Sequence, residues 1–253
     1  NTGIVFGGNV YANDGSKGGY VTDSTHHRYG EEIPVSEKWA RFNFKIENNA
    51  VKYPGLSFGI AGNFMSLSKY EALIFASDSI GYTPIGVPEG DDPLLFTQWM
   101  YTIDPHIKYL NPDNNTKHSY KARFFKDDYR PHEDEEGYST VLFQEYQFQK
   151  TFNLTHGHIV STSGMSSNKI EGSYDDIYGG GGLSSKKEMS NYSAYSQFDF
   201  KYKSLNLSFG GRLEHLRFLE EIYNIPVIRG GLNLRLLPTT YLRSSFGQGY
   251  RFP

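Results

Sequence analysis

The sequence predicts an all-β protein, an antiparallel transmembrane β-barrel of roughly 11 strands. Apolar and polar residues alternate with period two along nearly the whole chain, whereas helical periodicity is scarce. Long and short connections alternate between these segments, as they do in transmembrane barrels, which have tight turns at one end and longer loops at the other. The apolar face is rich in Phe and Tyr, in a chain with 18 Phe and 20 Tyr. Such a face suits a lipid-facing surface with aromatic girdles better than a tightly packed core.

Six segments show the alternation clearly. In the first, Phe42, Phe44 and Ile46 point to one side and Arg41, Asn43 and Lys45 to the other. The six segments span residues 39–47, 56–64, 192–202, 205–214, 228–236 and 240–246. Weaker alternation predicts strands near 3–13, 95–110, 117–126, 139–150 and 154–164. Strands of about ten residues are long enough to cross a bilayer when tilted.

The connections predict two different ends of the barrel. Long connections are expected at 14–37, 66–94, 127–138, 165–189 and 216–225. Short ones are expected at 48–54, 111–116, 151–153, 203–204 and 237–239. The short ones correspond to periplasmic turns and the long ones to extracellular loops. A soluble β-sandwich with polar residues facing water is the alternative that alternation alone leaves open.

Composition excludes several classes of function. A net charge of -3 and a pI near 6.3 offer no broad positive field, so we expect no nucleic-acid partner. The absence of cysteine removes disulfides, zinc–cysteine sites and thiol nucleophiles. With a mean hydropathy of -0.55, no apolar stretch approaches the ~18 residues of a membrane helix. The start at Asn1 and the end at Pro253 suggest a piece of a longer polypeptide.

The C-terminal residues resemble a known family. The closing stretch LRSSFGQGYRFP, residues 242–253, matches in its Gly, Arg and aromatic positions a strand of TonB-dependent outer-membrane receptors, especially those of Bacteroidetes. The run from Tyr192 and the segment Thr102–Pro105 are similar to the same family. The resemblance implies a bacterial outer-membrane location and a 22-stranded barrel whose lumen is filled by an N-terminal plug. It implies uptake of a scarce nutrient, not catalysis.

The resemblance also implies what lies beyond this chain. Residues 1–253 are expected to form a partial barrel domain, with the plug and the remaining strands elsewhere in the polypeptide. The expected partners are that plug, the missing strands, the TonB complex of the inner membrane, outer-membrane lipid and lipopolysaccharide, and a small nutrient ligand. No cofactor is expected. A ferric siderophore or haem is favoured slightly among nutrients because of the scattered histidines. Two alternative functions stay open: a passive outer-membrane porin or channel, and a secreted β-sandwich that binds glycans.

Two sets of candidate site residues follow. Side chains in the predicted long loops are candidates for ligand contact, although ordinary loop packing explains them equally: His26, His27, Tyr29, Tyr82, Tyr174 and Tyr178. Arginines on the polar face are predicted to line the lumen and to pair with acidic residues of the plug or of the wall: Arg41, Arg123, Arg212, Arg229, Arg235 and Arg243. A lumen position avoids the cost of roughly 2 to 4 kcal/mol for Arg at a lipid-facing midplane.

No catalytic or metal constellation is predicted. His156 and His158 are two residues apart and share a face on a strand, yet no third ligand is apparent. The acidic run 133–136 is expected to be a solvated loop tip rather than a calcium site. The glycines 179–182 lack the strand, helix and Lys-Ser/Thr context of a phosphate loop.

Overall fold

A computed structural model describes residues 1–13, 36–70, 73–77, 81–84, 95–132, 135–174 and 186–249. These residues form strands and turns. The strands are β1 (Thr2–Asn13), β2 (Glu37–Asn49), β3 (Leu56–Tyr70), β4 (Leu73–Ser77), β5 (Gly81–Pro84), β6 (Leu95–Asn111), β7 (Thr116–His132), β8 (Glu135–Leu154), β9 (Gly157–Tyr174), β10 (Lys187–Tyr202), β11 (Leu205–Phe218), β12 (Glu221–Leu237) and β13 (Thr240–Gly247). Among the described residues, no helix has the length and hydrophobicity needed to span a membrane.

Eleven of the strands form one continuous sheet. Their order is β1-β2-β3-β6-β7-β8-β9-β10-β11-β12-β13, and every neighbouring pair is antiparallel. Strands β4 and β5 make a separate hairpin inside the β3–β6 connection. This meander confirms the all-β antiparallel prediction and its eleven wall strands. It does not support a sandwich, which needs two packed sheets.

The short connections lie at one end of the sheet, as predicted, and we call this the turn end. They occupy residues 50–55, 112–115, 155–156, 203–204 and 238–239. Gly55 explains one of them, because its φ is +87° and a Cβ there would lie 1.9 Å from the carbonyl oxygen of Leu110. That turn therefore requires glycine.

The other end differs from the prediction. Strands β7 and β8 continue through most of 127–138, and only residues 219–220 separate β11 from β12, where a loop at 216–225 was expected. Strands β3 and β9 also run into the predicted loops 66–94 and 165–189. Polar contacts across the strands explain the extension, since Arg130 forms an ion pair with Glu136 at 2.6 Å and Tyr138 donates a hydrogen bond of 3.2 Å to Glu171. Polar residues that the sequence assigns to loops are therefore part of paired β-strands.

The sheet has one apolar and one polar face. The apolar side, which we call the outer face, carries large exposed side chains such as Phe6, Phe198 and Phe209, the last with 62% of its surface exposed. The opposite side, the inner face, holds the buried side chains Ser193, Glu214 and Leu216. Of these three only Leu216 is apolar, so the described residues have almost no hydrophobic core of their own. A barrel wall in lipid has this distribution, because its apolar side chains face the membrane.

Candidate functional site

The predicted ligand-contact residues fall at or beyond the ends of the strands. His26, His27, Tyr29 and Tyr178 lie outside the described residues. Tyr82 lies on β5, within the long β3–β6 connection as predicted, whereas Tyr174 ends the wall strand β9, so the prediction of a loop position is wrong for Tyr174. Their role in ligand contact stays a prediction.

All six predicted wall arginines lie on the inner face. The strand registers place Arg41 on β2, Arg123 on β7, Arg212 on β11, Arg229 and Arg235 on β12, and Arg243 on β13, all facing the same side. Their position toward a closed lumen stays a prediction, because these strands form an open sheet. Within the described residues, Arg123 and Arg212 have carboxylate partners and Arg229 has a neutral partner.

Arg123 is paired within the wall. Its Nε lies 2.8 Å from Asp104 Oδ1 and a second guanidinium nitrogen lies 2.7 Å from Asp104 Oδ2. The two residues are on neighbouring strands, β7 and β6, and make the bidentate geometry that suits a guanidinium and a carboxylate. This arginine is therefore neutralised without any residue from outside the chain.

A second network centres on Glu145 of β8. Lys121 lies 2.6 Å from one carboxylate oxygen, and the hydroxyl of Tyr195 donates a 2.9 Å hydrogen bond to the other. Tyr195 belongs to β10, so its ring must pass over β9 to reach β8. Gly164 of β9 leaves that space, since a Cβ there would lie 2.6 Å from the tyrosine ring and hydroxyl. Because Gly164 has no side chain, the side chain of Tyr195 can cross β9 and connect β10 to β8.

Arg212 joins the same network. It makes a close ion pair with Glu214, whose residue surface is only 2% exposed, and its guanidinium lies 5.8 Å from the ring of Tyr195. Asn191 donates a 2.9 Å hydrogen bond to the second oxygen of Glu214. Because burial of an unpaired carboxylate is costly, these donors are what allows Glu214 to be buried.

Arg229 is bound by a neutral group. It donates a close hydrogen bond to Gln197 Oε1, and Gln197 Nε2 in turn donates to both oxygens of Asp199, at 2.9 and 2.8 Å. Ser208 donates a further 2.6 Å hydrogen bond to Asp199. The carboxylate is therefore held by neutral donors rather than by a cation.

A groove of about 560 Å³ lies on the inner face near the turn end of β10 to β13. Four polar side chains of β10 to β13 lie on one cross-strand row in its lining: Lys201, Asn206, Asn233 and Arg243. We call this row the turn-end row, and His158 of β9 lies beside its first residue, Lys201. Within the described residues, neither Lys201 nor Arg243 has a carboxylate at ion-pair distance. Sequence analysis named Arg243 but missed the row, because only the strand register brings these four residues together.

Among the remaining predicted features, the glycines 179–182 and residues 133–134 of the acidic run lie outside the described residues, and the others are ordinary wall or turn residues. His156 lies in a turn with its ring 6.3 Å from that of Tyr202, while His158 is the second residue of β9 and pairs with Lys201, so they do not share a strand face. In the acidic run, Glu136 pairs with Arg130. In the part of the chain that the structure describes, no three His, Asp or Glu side chains are placed to hold a metal.

Two ion pairs lie at the end opposite the turn end, where β10 begins: Lys169 with Glu188, at 3.1 Å, and Lys186 with Glu171. Lys186 Nζ lies 2.9 Å from Glu171 Oε1, and this hydrogen bond raises the pKa of Lys186 above that of an ordinary lysine. Both pairs contribute to the charged ladder that extends the strands there.

Comparison with known proteins agrees with this architecture. Residues 6–253 match the family described as TonB dependent receptor-like, beta-barrel. Among curated proteins there is no sequence match. One similar solved structure is the FpvAI–pyocin S2 complex, with a TM-score of 0.57, 12% identity, and coverage of 84% of this chain and 34% of that chain. Another is the ferripyoverdine receptor of the outer membrane of Pseudomonas aeruginosa bound to ferripyoverdine, with a TM-score of 0.55, 12% identity, and coverage of 84% and 35%. This chain thus spans about a third of the length of each.

Proposed function

Because the chain belongs to the TonB-dependent receptor-like β-barrel family, we propose that it is part of the wall of a transporter that imports a scarce nutrient across the outer membrane. The family match over residues 6–253 carries this proposal. The single eleven-stranded meander supports it, since an outer face of exposed Phe and Leu and an inner face of ion pairs suit a wall between lipid and lumen. Family membership confirms the predicted outer-membrane location, and it supports a role in transport rather than in catalysis.

The wall acts together with parts outside this chain. We propose that further strands complete a 22-stranded barrel, because an eleven-stranded sheet in lipid would leave the outer edges of β1 and β13 unpaired. A plug within the same polypeptide closes the lumen, and the TonB complex pulls on it to open a path along the inner face. Outer-membrane lipid and lipopolysaccharide cover the outer face.

The proposed nutrient is a ferric siderophore or haem. The similar structure from Pseudomonas aeruginosa is a ferripyoverdine receptor, and His26 and His27 are side chains suited to contact an iron chelate. The ligand contacts are assigned to His26, His27, Tyr29, Tyr82, Tyr174 and Tyr178.

An uptake assay separates this function from that of a passive porin. Cells that produce the full-length receptor are given iron-55 as ferripyoverdine or as haemin, with and without an uncoupler of the proton-motive force. Active transport predicts that uptake of at least one of the two requires the receptor and stops with the uncoupler. Receptor-dependent uptake that continues after uncoupling would identify a diffusion channel and contradict the proposal.

A further inference from the structure

The turn-end row is a basic surface without a counter-charge. Two cations, Lys201 and Arg243, line the groove, and Arg235 lies on the same face of β12 two residues from Asn233. Among the described residues, Asp199 is the carboxylate of the groove lining, and it is already bound by neutral donors. The inner faces of β6 to β8 differ, because Arg123 and Lys121 there have carboxylate partners.

The row also contains an amide that lacks a partner. Asn233 Oδ1 is buried and has no hydrogen-bond partner among the described residues, as is also true of Asn168 Oδ1 and Asn191 Oδ1 outside the row. Buried polar atoms are nearly always hydrogen-bonded in folded proteins, so this acceptor is open to a donor from beyond the described residues. Asn206, directly opposite on β11, offers a second amide beside it. Two neighbouring amides can bind the N–H and C=O groups of a peptide backbone.

The spacing of the row indicates the shape of the occupant. Lys201 and Arg243 are three strand spacings apart, about 14 Å at ~4.8 Å per strand. An extended polypeptide rises about 3.4 Å per residue, so two of its side chains four residues apart span the same distance. A groove of about 560 Å³ accommodates a few side chains. Two cations at the ends and two amides between them therefore match an extended segment with two carboxylates.

We propose that an extended acidic segment of the same polypeptide, with Asp or Glu at positions i and i+4, binds across the turn-end row. This inference rests on the proposed function, which places further chain inside the barrel. A resident segment suits the site better than a passing nutrient, because Lys201 and Arg243 need a permanent counter-charge once the lumen is closed. Since the similar receptors are about three times as long as the matched part, there is ample chain to supply it.

Photo-cross-linking in the full-length receptor tests the proposal. A benzoylphenylalanine probe replaces Ser245, which lines the groove and lies one row from Asn233 and Arg243. The matched control replaces Thr151, which lies on the same cross-strand row as Ser245 but five strands away. After irradiation in outer membranes, mass spectrometry identifies the cross-linked peptides.

The expected product joins position 245 to a segment of the same polypeptide with carboxylates four residues apart, and the probe at 151 does not reach that segment. A cross-link to another protein, to a segment without carboxylates, or to the same peptides from both positions would overturn the proposal. So would the absence of any cross-link from position 245.

Charge variants provide the second test. In the Ser245 probe background, Lys201→Glu with Arg243→Glu should lower the cross-link yield by roughly tenfold to a hundredfold, because two charge-assisted contacts become repulsive. Lys201→Arg with Arg243→Lys should retain the yield. Heat-modifiable migration on gels verifies that both barrels fold. An unchanged yield after charge reversal would contradict the proposal. Neither readout requires transport, so uncoupler-insensitive uptake would refute the proposed function and leave this site in place.

Discussion

Replacing Gly164 by alanine tests whether the tyrosine that crosses β9 stabilises the wall. The new Cβ would lie 2.6 Å from the ring and hydroxyl of Tyr195 and 2.7 Å from the carbonyl oxygen of Tyr146. Overpacking of this kind costs about 1 to 3 kcal/mol. The displaced hydroxyl also loses its hydrogen bond to the carboxylate of Glu145, worth about 1.5 kcal/mol at the low end for a charged acceptor. We therefore expect Gly164→Ala to lower the free energy of unfolding by about 2.5 to 4.5 kcal/mol.

The matched control is Gly211→Ala on β11. A Cβ at Gly211 would have its nearest neighbour, the carbonyl oxygen of Val227, at 3.9 Å, which is ordinary contact. This variant should change the free energy of unfolding by less than about 1 kcal/mol. Both are measured by urea unfolding of the full-length receptor in lipid vesicles. A second variant, Tyr195→Ser, should make Gly164→Ala less costly because the ring is gone. Equal stability of Gly164→Ala and Gly211→Ala would refute the reasoning.

Three further predictions concern charge on the two faces. Asp104→Asn, which breaks the half-exposed pair with Arg123, should lower the free energy of unfolding in urea by about 1 kcal/mol or less, and a loss near that of Gly164→Ala would contradict it. Phe198→Arg on the outer face should lower the free energy of unfolding in vesicles by about 2 to 4 kcal/mol. Thr162→Arg on the inner face should lower it by about 1 kcal/mol or less, and equal losses would argue against a lipid-facing surface. The pKa of Lys186 is raised, so its pair with Glu171 stabilises the fold fully below the ordinary lysine pKa of 10.5 and is lost as pH rises through the raised value. The difference in thermal unfolding between Lys186→Met and the parent should therefore shrink at alkaline pH, and a constant difference would contradict the assignment.

Sequence alone predicts the strands and their faces because alternation with period two is a local property. Phe42, Phe44 and Ile46 face one side because of their spacing, whatever their neighbours are. The turn-end connections follow for the same reason. The strand ends at 127–138 and 216–225 were predicted wrongly because their stability depends on partners across the sheet. Arg130, for example, is predicted to lie in a loop, but in the structure it lies on β7 and forms an ion pair with Glu136 of β8.

The polar networks of the inner face were beyond sequence analysis for a related reason. Tyr195 was recognisable as an aromatic residue on a polar face, which was the available signal. Its partner Glu145 is 50 residues away and two strands across, and the contact depends on Gly164 between them. The turn-end row likewise exists only through the register of four strands.

The most direct test of the central claim asks which face of the sheet meets lipid. This sequence contains no cysteine, so single cysteines can be introduced along β10 for nitroxide labels. In the full-length receptor in membranes, labels at even positions from 194 to 200 should collide with oxygen dissolved in lipid. Labels at odd positions from 195 to 201 should be shielded from lipid. Equal water accessibility at both sets of positions, in a protein that leaves the membrane without detergent, would contradict the barrel-wall account.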